Sequence, residues 1–303
     1  MTEIREIFDD ELEAWVAVMR AAGDDTDLAE GYRDWKRQAR HAVWLLATDA
    51  GAEVGAALGI GGWHEPPGVA RGEIRVIDGH RGGGHGTALL QALSSWARGL
   101  GYAELMGPVD ERDEGSLGWA GRHGFTEVGR NSRLVLDLTA IEAPEVPTPA
   151  GVEIVTWADR PDLAEGLYSV AREAYPDVPG EEDAELAGFE EWLSMDMQGA
   201  GDRADATWVA LVDGEVAAYA KLAFSRARPA VVMHDMTGVR RAFRGRGIAG
   251  ALKATEIAWA KANGFERLET QNEERNEPIR RLNQRYGYVV TPGSITVRGP
   301  LAG

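Results

Sequence analysis

The stretch Val239-Arg240-Arg241-Ala242-Phe243-Arg244-Gly245-Arg246-Gly247-Ile248-Ala249 decides how the chain is read. It lies between an apolar run, Val231–Val239, and a helical pattern, Ala249–Asn263, that ends before Gly264. Glycines in such a turn let backbone N–H groups converge, and the helix N-terminus adds partial positive charge. Together they form a nest for a phosphate or pyrophosphate.

The same turn occurs a second time. Val76 to Gly86 carries Arg81-Gly82, Gly84 and Gly86, 163 residues before Arg244-Gly245, Gly247 and Ala249. That separation also maps Ala88-Leu89 onto Ala251-Leu252, Trp96-Ala97 onto Trp259-Ala260, and Gly124-Phe125 onto Gly287-Tyr288. A constant offset over such a span points to duplication, and its length excludes a solenoid. The expected layout is a first domain over 1–140, a Pro-rich linker over 141–151 and a second domain over 152–303. Pro144, Pro147 and Pro149 disfavour helix and central strand in the linker.

Each copy reads alike. Helical segments come first, at 10–20 and 28–38, then 159–175 and 182–197. A hairpin follows; in the second copy it turns at Asp213-Gly214. A strand (72–77, 231–239), the glycine turn and a long helix (87–99, 249–263) come next. A strand (103–107, 267–271), a short helix (115–123, 277–286) and a final pair of strands close each copy. The fold class is α+β, with a mixed, mostly antiparallel sheet flanked by helices in each domain.

Composition narrows the chemistry. The 303 residues include no cysteine, which removes disulfides, thiolate metal sites and a cysteinyl acyl-enzyme. A net charge of −17 argues against nucleic-acid and anionic-membrane partners. There is no secretory signal and no apolar run of membrane-spanning length, so a cytoplasmic protein is expected. The six histidines are scattered, and no metal is expected.

On these residues the chain resembles the GCN5-related N-acetyltransferase superfamily. Arg244-Gly245-Arg246-Gly247-Ile248-Ala249 and Arg81-Gly82-Gly83-Gly84-His85-Gly86 both match its Arg/Gln-x-x-Gly-x-Gly/Ala loop. The resemblance implies two tandem acyl-CoA N-acyltransferase-like domains using acetyl-CoA as co-substrate, with a small-molecule or peptide amine as acceptor. It implies that Met236, Gly238 and Val239 flank the pantetheine arm and that the amides of 244–249 hold the pyrophosphate. Asn272 and Asn276 follow the next strand, where amide side chains can serve pantetheine. Their first-copy counterparts are Val109 and Asp113, so the second copy reads as the more complete and catalytic one, the first as degenerate. A tyrosine that many relatives place four residues before the later glycine is replaced by Ala120 and Asn283.

An attacking amine must be deprotonated, so a carboxylate or imidazole beside the loop strand is required. Asp235 is the first candidate, with His234 and Glu73 as others. Two rival readings stay open. One is a non-catalytic acyl-CoA-binding or structural tandem. The other is a dinucleotide-binding oxidoreductase, because Gly245, Gly247 and Gly250 spell G-x-G-x-x-G and Glu269 follows about twenty residues on.

Overall fold

The computed structural model describes residues 2–23, 29–62, 65–147, 149–178 and 186–303. The expected starts of the helices at 28 and 182 lie outside the described residues. The chain divides into two compact units, residues 1–130 with 294–303, and residues 131–293.

The first unit contains β1 (Glu3–Glu6), α1 (Leu12–Ala21), α2 (Ala29–Gln38), β2 (His41–Asp49), β3 (Ala52–Gly61), β4 (Val69–Val76), α3 (His85–Gly99), β5 (Glu104–Asp110) and α4 (Glu114–Arg122). β6 (Thr126–Asp137) follows. The second unit contains β7 (Val152–Thr156), α5 (Ala164–Ala174), α6 (Phe189–Trp192), β8 (Asp202–Val212), β9 (Glu215–Phe224), β10 (Val231–Val239), α7 (Ile248–Ala262), β11 (Arg267–Glu273) and α8 (Glu277–Arg285). β12 (Val289–Pro300) ends the series.

In the first unit the strand order is β1-β2-β3-β4-β5, closed by residues 294–300 of β12, which pair antiparallel with β5. In the second it is β7-β8-β9-β10-β11, closed by residues 131–137 of β6, which pair antiparallel with β11. Each unit therefore takes a strand segment from the far end of the other sequence repeat. The expected pair of final strands in each copy is one long strand, within which the chain passes from one unit to the other. Residues 141–151 contain no helix or strand among those described.

Alternation along the strands gives each sheet two buried faces. In the first unit Trp44, Leu46 and Leu58 pack with Trp15 and Tyr32 of α1 and α2. Val43, Leu45 and Leu105 pack with Leu89, Leu90 and Leu93 of α3. In the second unit Val209 and Tyr219 meet Leu167, Val170 and Trp192, while Leu222, Val232 and Leu268 meet Leu252 and Ile257. The β8–β9 turn has Asp213 at φ 52° and Gly214 at φ 81°, positive at both central residues as a type I′ hairpin demands.

The sites depend on where each sheet splits. β4 and β5 run parallel and pair only at Val69–Glu104, Ala70–Leu105 and Arg71–Met106. β10 and β11 pair only at Val231–Arg267, Val232–Leu268 and Met233–Glu269. Beyond these triplets the two strands of each pair are no longer bonded to each other, leaving a wedge that opens toward the glycine loop.

Candidate active site

The two loops are built alike. Gly82 and Gly84 have φ of 83° and 85°, and Gly245 and Gly247 have 77° and 82°. A side chain is strained at such angles, and no atom crowds the positions where Cβ would stand on Gly82, Gly84 or Gly245. Gly84 and Gly247 are the N-caps of α3 and α7. Arg81 Nε donates to Val76 O, and Arg244 Nε donates to Val239 O, so the arginine clasps the end of the preceding strand in both units. Arg81 is anchored by Asp113 at 2.8 Å, and Arg244 by Asp177 at 2.6 Å. The open cradle of amides fits a pyrophosphate in each unit.

The wedges differ. In the first unit a cavity of about 500 Å³ lies between the diverging strands. His80, Arg81, Gly82, Gly84, Gly86 and Thr87 line its loop end, and Pro108, Val109, Asp113, Ser116 and Trp119 line one side. Its far end reaches Gly72, Leu93, Leu105, Phe125 and Val297. Asp113 accepts from Ser116 N and caps α4, which fixes the wall carrying Trp119.

In the second unit the corresponding far end is filled. His234 follows the third paired residue of β10 as Gly72 does in β4, and Tyr288 stands at the position of Phe125. Lys253 and Glu256 of α7 correspond to Leu90 and Leu93 of α3. All four polar side chains are buried. His234 Nε2 and the Tyr288 hydroxyl are hydrogen-bonded, and Lys253 Nζ sits 5.7 Å above the Tyr288 ring. Glu256 Oε2 approaches His234 Nδ1 to 2.9 Å without the alignment of a hydrogen bond. Burial, with Lys253 nearby, pushes the imidazole well below its ordinary range, so it is neutral. Burial pushes Glu256 up to about 8 and Lys253 down to about 8.

Asp235 is the extra residue of a bulge in β10, between His234, which pairs with Leu222, and Met236, which pairs with Lys221. β4 has no such interruption against β3. Asp235 ion-pairs with Lys221 at 2.7 Å, and Lys221 also holds Asp202 at 2.7 Å. Of the expected flanking residues, Met236 packs among Leu167, Val170 and Tyr219. Gly238 lies against Val170 and Ala174, and a Cβ there would come within 3.1–3.2 Å of them. Val239 and Ile248 pack on the α7 side. Arg246 reaches Ala150 O and the Phe243 ring, and Ala249 lies in the first turn of α7.

Asn272 accepts from Asn283 Nδ2 at 2.7 Å, and Asn276 is the N-cap residue of α8. Asn283 is fully buried, with its Oδ1 unpartnered. In sequence Asn283 stands both at the replaced tyrosine position and among the asparagines able to serve pantetheine; in the fold its Nδ2 holds Asn272.

Glu73 faces the α1–α2 side of its sheet, since its partner Leu58 belongs to that core, and it bonds Arg75 at 2.8 Å. Glu269, the acidic residue of the dinucleotide reading, is buried between Arg133 (2.6 Å) and Arg228 (2.5 Å). Its carboxylate is committed to that structural pairing, so it is not placed as a free ribose ligand.

A sheet split beside a glycine-loop helix, present twice, is the architecture of tandem acyl-CoA N-acyltransferases. The chain belongs to the Acetyltransferase (GNAT) family, which matches residues 2–125 and 164–288. It is 27% identical over 226 residues to the mycothiol acetyltransferase of Brachybacterium faecium, a match covering 72% of this chain and 65% of that protein. Among solved structures, a tandem GNAT protein from the clavulanic acid biosynthesis pathway superposes with a TM-score of 0.80, at 20% identity, over 100% of this chain and 99% of the other. A GCN5-related N-acetyltransferase from Sphaerobacter thermophilus gives 0.74 at 20% identity, covering 100% and 96%.

Proposed function

We propose that this protein is an acetyl-CoA-dependent N-acetyltransferase that moves the acetyl group directly to the amine of a small molecule or peptide. The observation that carries the reading is the first-unit cavity, with a glycine-loop helix N-terminus at one end and diverging parallel strands along its length. The amides of 82–87 would hold the pyrophosphate, and the exposed edges of β4 and β5 would flank the pantetheine arm. Acetyl-CoA supplies an activated thioester carbonyl. Glu73, next to the point where the strands part, is the carboxylate on the opposite face of β4 and takes the amine proton in this reading. Neither a cysteine nor a serine elbow exists to carry an acyl-enzyme, which favours direct transfer.

A second reading places the reaction in the second unit, with Asp235 as base and Asn272 and Asn276 on the pantetheine arm. The bulge that exposes Asp235 and the unpartnered Asn283 Oδ1 favour it. Aspartate substitutions at the two N-cap glycines separate the readings, since a carboxylate there repels phosphate and fills its cradle. Calorimetry with CoA, together with acetyl transfer to a panel of amines, is the test. Loss of binding and turnover in Gly84→Asp, with Gly247→Asp intact, supports the first reading, and the reverse supports the second. Binding without turnover on any amine leaves a non-catalytic acyl-CoA-binding tandem.

A further inference from the structure

The far end of the first-unit cavity is apolar throughout. Gly72, Leu90, Leu93, Leu105, Phe125 and Val297 form it. Gly72 has room on the cavity side: a Cβ there would meet Leu105 at 3.4 Å and Leu93 at 3.7 Å, ordinary contact distances. Leu93 lies eight residues into α3 from His85, roughly 12 Å from the loop at the helical rise.

The second unit shows that this openness is not forced by the fold. At four of these positions it carries His234, Lys253, Glu256 and Tyr288, buried and in mutual contact. One sequence thus holds a polar, filled version and an apolar, open version of the same place. Water in the apolar version would find few hydrogen-bond partners, so the natural occupant is hydrocarbon.

Resting on the reading that the cavity holds a CoA thioester, we propose that the first unit accepts an acyl group longer than acetyl, a straight saturated chain of about four carbons, laid between α3 and Phe125. Leucine and phenylalanine walls favour each added methylene by roughly fourfold in affinity, the equivalent of about 0.8 kcal/mol per buried CH₂.

Calorimetric titration of the full chain with free CoA, acetyl-CoA, propionyl-CoA and butyryl-CoA tests this. The expected result is affinity rising along the acyl series, with butyryl-CoA bound roughly tenfold or more above acetyl-CoA. Gly72→Val, which grows into the pocket, should bring the butyryl-to-acetyl ratio to one or below. Gly72→Ala, which adds a single carbon at contact distance, should give an intermediate ratio and guards against misfolding of the valine variant. Free CoA that binds the parent while the acyl series is flat or falling overturns this proposal and leaves the cofactor reading standing. Failure of free CoA to bind overturns both. A rising series unaffected by either Gly72 substitution overturns the placement of the chain.

Discussion

The imidazole of His234 hydrogen-bonds the hydroxyl of Tyr288 at the place where the first unit has Gly72 and Phe125. Two side chains therefore mark the difference between a filled wedge and an open one. The partner of each is buried with it, so breaking this hydrogen bond would leave a buried polar atom unsatisfied.

Tyr288→Phe breaks that bond. The ring is retained, as Phe125 retains it in the first unit, but His234 Nε2 loses its partner. The expected cost is about 1–3 kcal/mol, read as a lowered urea midpoint at constant slope. An unchanged midpoint would show that the bond contributes nothing net.

The buried Lys253 and Glu256 predict a pH profile. Glu256 is raised from 4.5 to about 8, so its contribution is full below pH 4.5 and lost as pH rises through about 8. Lys253 is lowered from 10.5 to about 8, so its contribution is full above pH 10.5 and lost as pH falls through about 8. Their combined contribution is least near pH 8. Lys253→Leu, which installs the residue found at Leu90, should remove the rise in melting temperature between pH 8 and 10.5. Replacing Lys253 and Glu256 together by leucine, the residues found at Leu90 and Leu93, should stabilise the fold at pH 7 by about 1–4 kcal/mol, as apolar replacement of a buried charged pair often does. A parallel profile for parent and variant would contradict the assignment.

Glu269→Ala removes the buried carboxylate shared by Arg133 and Arg228. Burial raises Glu269, but hydrogen bonds from Arg228 and Arg133 outweigh it and hold the carboxyl below its ordinary range. Its contribution is present above pH 4.5 and lost as pH falls through the lowered value. The expected loss at pH 7 is about 2–3 kcal/mol, below that of a fully buried pair because Arg133 is partly exposed. The variant should also show a flatter acid limb in thermal melts.

Glu73→Gln should lower kcat/KM about 10²-fold with CoA affinity retained, whereas Asp235→Asn should leave turnover within a few fold. The opposite pattern would move the chemistry to the second unit. Mass spectrometry that traps an acetylated enzyme able to pass its acetyl group to the amine would remove direct transfer.

Much of the geometry of the candidate loops was legible in the sequence. Gly82, Gly84, Gly245 and Gly247 do adopt positive φ, and the helices after them run to within two residues of Gly101 and Gly264. The hairpin at Asp213-Gly214 was equally clear. Asp235 shows where legibility stopped. Pairing with β11 aligns Val232 with Ala70, 162 residues apart, whereas Val239 aligns with Val76 at 163. The bulge is a one-residue insertion inside an apolar run, and no local signal distinguishes it from strand.

By itself the sequence determined the duplication, the order of elements and the two glycine turns that cap α3 and α7. These rest on local requirements: backbone angles that favour glycine, helical and strand periodicity, and turn chemistry. Only the tertiary structure decided that residues 131–137 and 294–300 close the opposite sheets, and that one wedge is open while the other is filled. Strand partners far apart in sequence are chosen by shared burial and hydrogen-bond completion. Whether a side chain at His234 or its absence at Gly72 leaves a cavity depends on what Leu93, Glu256, Phe125 and Tyr288 bring to meet it, which no single segment encodes.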